Sequence, residues 1–440
     1  MDQSQQLKSM PAISEYRTLR FLFVFLLYVA QGAPVGIFFF ALPAWLAANG
    51  ASALEVGGFL SATGLPWTLK FINGFIMDRF TFLPMGRRRA WLIGAQAVMV
   101  VSLIAFAFVA PGPKDIAALS AFAFIIMAAT TYQDVAVDGM AVDLVPDEER
   151  ARANGLMFGG QSIGIAAGTA FTGFAIASAG FGAAMLGNAA FVAVILLMLI
   201  IFRERPGERL LPWTPGEASE TSERLQVAAW WPLLTSVWKA MFTRDSLLHV
   251  VAQFCVGALY GLYAGAMPLI ATNVAGWSDA DFSGLSGAGN FIAGILGIVV
   301  FGVLSDVLGT RTSTILSFLA TAVFAGAYLF ARPYWHLGIS VQAAVIVYLA
   351  LTVWSQVGSA ASAMKICSLK AAATQFTLFM ALSNLGITVS SATLGLLDAI
   401  GGYQAMLVAI IATSLVGAGA MYLFNERRMQ QRVLAEAGLA

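Results

Sequence analysis

Long apolar runs set the pattern of this chain. Phe21–Leu46 contains no charged residue, and comparable runs recur between short polar breaks. A helix needs about 20 residues to cross a bilayer, whereas strands of a membrane barrel alternate over about ten. Continuous runs therefore predict helices, which satisfy their own backbone within the hydrocarbon layer. Breaks at charged, Pro and Gly positions give twelve spans, at 20–47, 54–77, 91–110, 116–145, 154–178, 181–202, 246–272, 282–305, 312–331, 340–364, 374–398 and 402–424. One connection is long. It divides the chain into a six-helix half at 1–202, a central loop at 203–245, and a second six-helix half with its tail at 246–440. The expected fold class is an all-α integral membrane protein.

Composition and charge sharpen this picture. Hydrophobic residues make up 59% and charged residues 11%, against about 25% charged in soluble domains. The net charge of +1 is silent on partners, but the positions of the charges are informative. With a cytoplasmic N-terminus, 21 of the 24 basic residues fall in cytoplasmic loops and tails; Lys114 and Arg332 lie outside and Lys70 within a span. That bias predicts a multi-pass membrane protein with both termini in the cytoplasm. The run from Phe21 is longer than a signal-peptide core and reads as a retained first span. Within the central loop, Arg224–Phe242 is aromatic and basic; it suits an interfacial helix or a folded tether.

The same inventory excludes several chemistries. Cys255 and Cys367 stand alone in apolar stretches, and the only histidines are His249 and His336. No metal spacing, phosphate-binding Gly-x4-Gly-Lys sequence or nucleophile elbow occurs. The expectation is no enzyme, no cofactor, no metal and no nucleic acid. The expected partner on this ground is the bilayer, and a monomer suffices.

An internal repeat carries the strongest structural signal. After span two come Gly74, Asp78-Arg79 and then Gly86-Arg87-Arg88-Arg89; after span eight come Gly302, Asp306, Gly309 and Arg311. An acid at a helix end can pair with loop arginines and hold neighbouring helix ends together. Gly74, Asp78, Arg79, Arg87, Arg88, Asp143, Asp306 and Arg311 are therefore gating candidates, with ordinary positive-inside residues as the alternative. Two six-span halves bearing this loop resemble the major facilitator superfamily. In the first copy six residues, Phe80 to Met85, separate Asp78-Arg79 from Gly86, where the family norm has one.

Charges inside the spans need a reason, because each costs about 2.5–3.5 kcal/mol at the bilayer centre. Lys70 lies eight residues before Asp78 in span two, and Asp138 eight before Pro146 in span four. Both side chains then sit roughly 12 Å from the same membrane edge. Asp134 shares the face of Asp138, since i and i+4 stack. Lys70 is expected to pair with Asp138, Asp134 or both, which makes these three the proton-coupling candidates; a static ion pair is the alternative. Polar residues at similar depth give substrate-binding candidates: Tyr28, Gln31, Lys70, Gln133, Gln253, Tyr260, Tyr263, Asn290, Gln356 and Asn384. Gly160, Gly164 and Gly168 in span five form a strip that lets another helix approach closely.

Several stretches resemble a narrower branch, the anhydromuropeptide permeases, with acetyl-CoA transporters as relatives. They are Tyr28-Val-Ala-Gln31-Gly32-Ala-Pro34, Pro66-Trp67-Thr-Leu-Lys70-Phe71, Gln133-Asp134-Val-Ala-Val-Asp138 and Ala373-Thr374-Gln375-Phe376 through Ser383. The resemblance spans both halves and implies a proton symporter that imports sugar–peptide conjugates by alternating access. Alternatives are a permease for a siderophore or acyl-CoA, a non-transporting sensor, or a membrane enzyme built on the Asp134–Asp138 pair.

Overall fold

The computed structural model describes residues 12–145, 150–224, 241–366, 372–429 and 431. Expectations for the side chains of Asp78, Arg79 and Asp306, and for an interfacial helix over 225–240, lie outside the described residues. Among the described residues every regular element is helical, with one isolated bridge between Ala12 and Arg203.

In chain order the helices are α1 Arg17–Gly36, α2 Leu42–Ala48, α3 Ala53–Thr68, α4 Lys70–Arg79, α5 Arg89–Val109, α6 Ile116–Leu144, α7 Arg150–Ala179 and α8 Phe181–Ile201. After the short α9 Glu220–Arg224 come α10 Arg244–Asn273, α11 Asp279–Leu296, α12 Gly302–Leu308, α13 Thr310–Phe330, α14 Gly338–Ile366, α15 Ala372–Ala392 and α16 Leu394–Leu423. Ten stretches among the described residues are long and apolar enough to cross a membrane. The other two expected spans are the pair α3–α4, interrupted at Leu69, and the Thr-, Ser- and Asn-bearing α15. Span one runs Arg17–Ala48 through a π-turn at Ile37–Ala41 that joins α1 to α2.

The Cα packing forms two compact units. Unit 1 comprises residues 1–37, 72–110 and 125–229; unit 2 comprises 38–71, 111–124 and 230–440. In unit 1 α1 packs on α7 and α5 on α8; in unit 2 α10 packs on α15 and α13 on α16. The glycine strip of α7 does what its spacing predicts. Carbons added at Gly160, Gly164 and Gly168 would sit 2.7, 2.2 and 2.4 Å from the carbonyl oxygens of Phe25, Val29 and Ala33 on α1. Gly32 and Gly36 of α1 return the contact, meeting the carbonyls of Gln161 and Ile165. The two backbones touch because neither presents a side chain there.

Candidate functional site

This close approach of α1 sets up the polar centre of unit 1. On α6, Gln133 and Asp134 are buried, with Asp138 one turn further along the same face. Gln31 donates its amide N–H to Asp134 Oδ1 at 2.7 Å, and Tyr28, one turn earlier on α1, donates its hydroxyl to Asp138. Rising along α1 thus means descending along α6, as for antiparallel helices. Gln133 fixes the register by donating to the Leu27 carbonyl at 2.6 Å, and Asn73 of α4 donates to Thr131 Oγ1 at 3.1 Å. A phenol can donate to an ionised carboxylate or accept from a protonated one. The Tyr28–Asp138 contact can therefore survive a change of protonation.

A second cluster lies where α5, α6 and α8 end. Arg87 Nη1 donates to both oxygens of Asp143, at 2.8 and 2.9 Å, and Arg88 Nε adds a bond at 3.2 Å. Glu204, fully buried just beyond α8, accepts the backbone N–H groups of Arg87, Arg88 and Arg89 at 3.2, 2.9 and 2.9 Å. These amides open α5, where a carboxylate is favoured by orphan donors and by the helix dipole. Arg89 is fully buried and donates to the carbonyls of Leu199 and Ile200 in the last turn of α8, at 3.2 and 2.9 Å. A cation at a helix C-terminus completes the pattern.

Residues 203–222 extend this cluster and are folded rather than merely tethering. Arg209 N–H bonds the Pro84 carbonyl at 2.7 Å, and Ile13 N–H bonds the Arg203 carbonyl at 2.8 Å. Buried Glu208 holds the segment together, accepting from Ser219, Ser222 and the Arg205 N–H at 2.8, 2.9 and 2.9 Å. Burial, reinforced by the nearby charge of Glu204, pushes the Glu208 carboxyl up to about 7 against the pull of those three bonds.

The remaining candidates belong to unit 2. Lys70 opens α4 with its ammonium 5.6 Å from the centre of the Trp67 ring, within cation–π range. Tyr260 meets Phe39 and Phe40 edge-on, and Tyr263 stacks on Tyr348 while donating to the Val345 carbonyl at 3.2 Å. Gln253 bonds His249 and the Ser359 carbonyl, Asn384 bonds the Trp67 carbonyl, and Asn290 bonds Ser286 of its own helix. Gln356 is exposed. In Gln253, Tyr263, Asn290 and Asn384 the polar groups thus satisfy neighbouring backbone, the usual work of such residues between membrane helices.

Sequence reasoning missed Arg89, Glu204, Glu208 and His249. A signal for Glu204 did exist: Phe202-Arg203-Glu204-Arg205 after span six recurs as Phe424-Asn425-Glu426-Arg427 after span twelve.

A family model described as Major Facilitator Superfamily matches residues 24–391. The chain is 27% identical over 366 residues to the anhydromuropeptide permease of Escherichia coli, covering 81% of this chain and 70% of that protein. An uncharacterised Schizosaccharomyces pombe protein is 26% identical over 137 residues, 30% of this chain and 26% of its own length. Among solved structures, the nucleoside transporter NupG superposes with a TM-score of 0.67 at 13% identity, covering 92% of this chain and 99% of that one. The last likeness speaks for the fold.

Proposed function

Because the chain belongs to the Major Facilitator Superfamily, and is thus a multi-pass membrane transporter for a small molecule and not an enzyme, we propose that it is a proton symporter. Its cargo is an anhydromuropeptide or a similar sugar–peptide conjugate, carried into the cytoplasm across a bacterial inner membrane. The observation that carries this reading is the pair of acids on one face of α6, each met by a neutral donor of α1. Ionisable groups at membrane depth mark ion and proton pathways by default. Asp134 and Asp138 take the proton in turn, with Lys70 as the third coupling residue. Tyr28, Gln31 and Gln133 tie the state of the acids to the position of α1. Likeness to a permease for this cargo over four-fifths of the chain supports the substrate class.

Gating is assigned to the Arg87–Arg88–Asp143 cluster, which ties the start of α5 to the end of α6 and is joined to the end of α8 by Glu204, and which has to loosen in the opposite state. The halves 1–202 and 246–440 act within one chain as a monomer, with both termini cytoplasmic.

The test is uptake of a labelled anhydromuropeptide into proteoliposomes under an inward proton gradient, comparing the wild type with Asp134→Asn. Gradient-stimulated uptake that disappears in the variant supports both cargo and coupling. Gradient-stimulated uptake that persists in it removes Asp134 from the coupling path. No uptake by folded wild type sends the search to siderophores or acyl-CoA.

A further inference from the structure

The loop after span eight repeats the Gly, Asp, Gly and Arg positions of the loop after span two with a shorter stretch between the Asp and the second Gly, and the two copies end differently. Arg89 caps the last turn of α8 through Leu199 and Ile200; Arg311 caps the last turn of α16 through the equivalent carbonyls of Met421 and Tyr422. Glu204 stands three residues beyond α8, and Glu426 three beyond α16, where it accepts from Thr310 Oγ1 at 2.9 Å. The next partner is inverted. The penultimate residue of α6 is Asp143, which neutralises Arg87 and Arg88; the penultimate residue of α14 is Lys365. Lys365 pairs with Glu426 at 3.4 Å. The second copy has gained a cation where the first has the acid that completes it.

The consequence is a cavity of about 630 Å³ in unit 2, within the range of ligand sites. Arg244, Arg311, Lys365, Arg427 and Arg428 line it against the single acid Glu426. Asp245 contributes one further carboxylate, bonded to Arg428 at 3.5 Å. Among the described residues, five cations therefore face two acids. Among the described residues, Arg244 and Arg427 make no side-chain hydrogen bond or ion pair. Gly309 and Thr312 bring the N-terminal turn of the 21-residue α13 to the wall, adding amide donors and the positive end of a helix dipole. Guanidinium groups and helix amides together match phosphate oxygens.

We propose that this cavity binds a phosphate-bearing anion, supplied by the headgroup of an anionic phospholipid at the membrane surface. The anion takes the place that Asp143 fills in the first copy, joining the start of α13 to the ends of α14 and α16. A phosphodiester suits the site better than a carboxylate, because several donors converge from different elements.

The test uses full-length protein in neutral detergent. Phosphatidylglycerol or phosphatidylcholine is titrated in and retention read by native mass spectrometry, with inorganic phosphate titrated separately by calorimetry. The variant is Arg244→Gln/Arg427→Gln, which breaks no internal bond, and Arg244→Lys/Arg427→Lys tests rescue of charge. We expect wild type to retain phosphatidylglycerol over phosphatidylcholine and the Gln variant to lose that affinity by roughly thirtyfold, with substantial recovery in the Lys variant. Inorganic phosphate binding without a preference between the lipids upholds the anion site but assigns it to a soluble phosphate compound. The proposal is overturned if phosphatidylglycerol and phosphate bind the Gln variant as they bind wild type, or bind neither.

Discussion

Along α1 and α7 the carbonyls of Val29 and Ala33 rest on Gly164 and Gly168; along α10 and α15 the carbonyl of Ser383 rests on Gly257 and that of Phe254 on Gly386. These are spans one and five of the first half and spans seven and eleven of the second, so one packing solution serves both. The chemistry beside the two contacts differs. Next to α1 stand two carboxylates held by Tyr28 and Gln31; next to α10, Gln253 and Tyr263 spend their donors on backbone carbonyls of α14. Packing was duplicated and charge was not. Helix contact in a bilayer rests on close van der Waals approach and small residues, which constrains both copies equally. An ionisable group is costly there and is retained only where it acts. On the proposed reading, this asymmetry assigns proton handling to the two acids of unit 1 and structural work to Gln253 and Tyr263 of unit 2.

The largest effect should come from the shared feature. Gly164→Leu would force a carbon to within 2.2 Å of the Val29 carbonyl, and Gly257→Leu to within 1.7 Å of the Ser383 carbonyl. Backbone cannot rotate away as a side chain can, so each should cost about 3 kcal/mol or more. The expected readout is loss of monodisperse protein on size exclusion for both. A variant that stayed folded in one unit alone would show that the two contacts are not equivalent.

Next comes the feature that differs. Tyr28→Phe removes a hydroxyl from a carboxylate, a bond of the charge-assisted kind worth about 1.5–3 kcal/mol. Tyr263→Phe removes one from a neutral carbonyl, worth about 1 kcal/mol. Gradient-driven uptake should fall roughly tenfold or more in Tyr28→Phe and stay within about twofold of wild type in Tyr263→Phe. Equal losses would erase the division of labour between the units.

The gate clusters give a smaller contrast. Glu204 is fully buried and accepts three backbone amides and Arg205. Glu204→Gln turns one acceptor into a donor facing donors, for a loss of about 1–3 kcal/mol. Glu426 is partly exposed and among the described residues meets only Thr310 and Lys365, so Glu426→Gln should cost under about 1 kcal/mol. Thermal unfolding in detergent should drop by several degrees for the first and barely move for the second.

What the sequence showed and what it withheld follow from range. Span limits, the Gly160–Gly164–Gly168 strip and the shared face of Asp134 and Asp138 are local periodicities, readable from helix geometry alone. The partners of those acids are not local: Tyr28 and Asp138 are 110 residues apart, and Gln31 and Asp134 103. The contact of Lys70 with Trp67 spans the break at Leu69 between α3 and α4, which helix periodicity alone does not show. The burial of Glu204 and Glu208 was hidden for another reason. They sit in a stretch whose composition matches a solvated loop, and only its folding onto α5 and α8 buries them.

That burial leads to the smallest prediction, which concerns pH. In the unfolded segment Glu208 titrates near 4.5, and in the folded one near 7. Between those values the folded form binds more protons, so its stability falls as pH rises through the window and is greatest below it. The segment 203–222 carries this dependence because Glu208 ties Arg205 to Ser219 and Ser222 there. Just after α16, by contrast, Asn425 accepts from the Arg428 N–H through a side chain that does not titrate. Amide exchange across 203–222, corrected for its intrinsic pH dependence, should therefore be more protected at pH 5.5 than at pH 8, by roughly tenfold or more. Exchange across 424–428 should change far less. In Glu208→Gln the serine hydroxyls can still bond the side chain, accepting from its amide instead of donating to a carboxylate, so protection should persist while its pH dependence disappears. If the dependence survives in that variant, Glu208 is not the titrating group behind the contrast between the two segments.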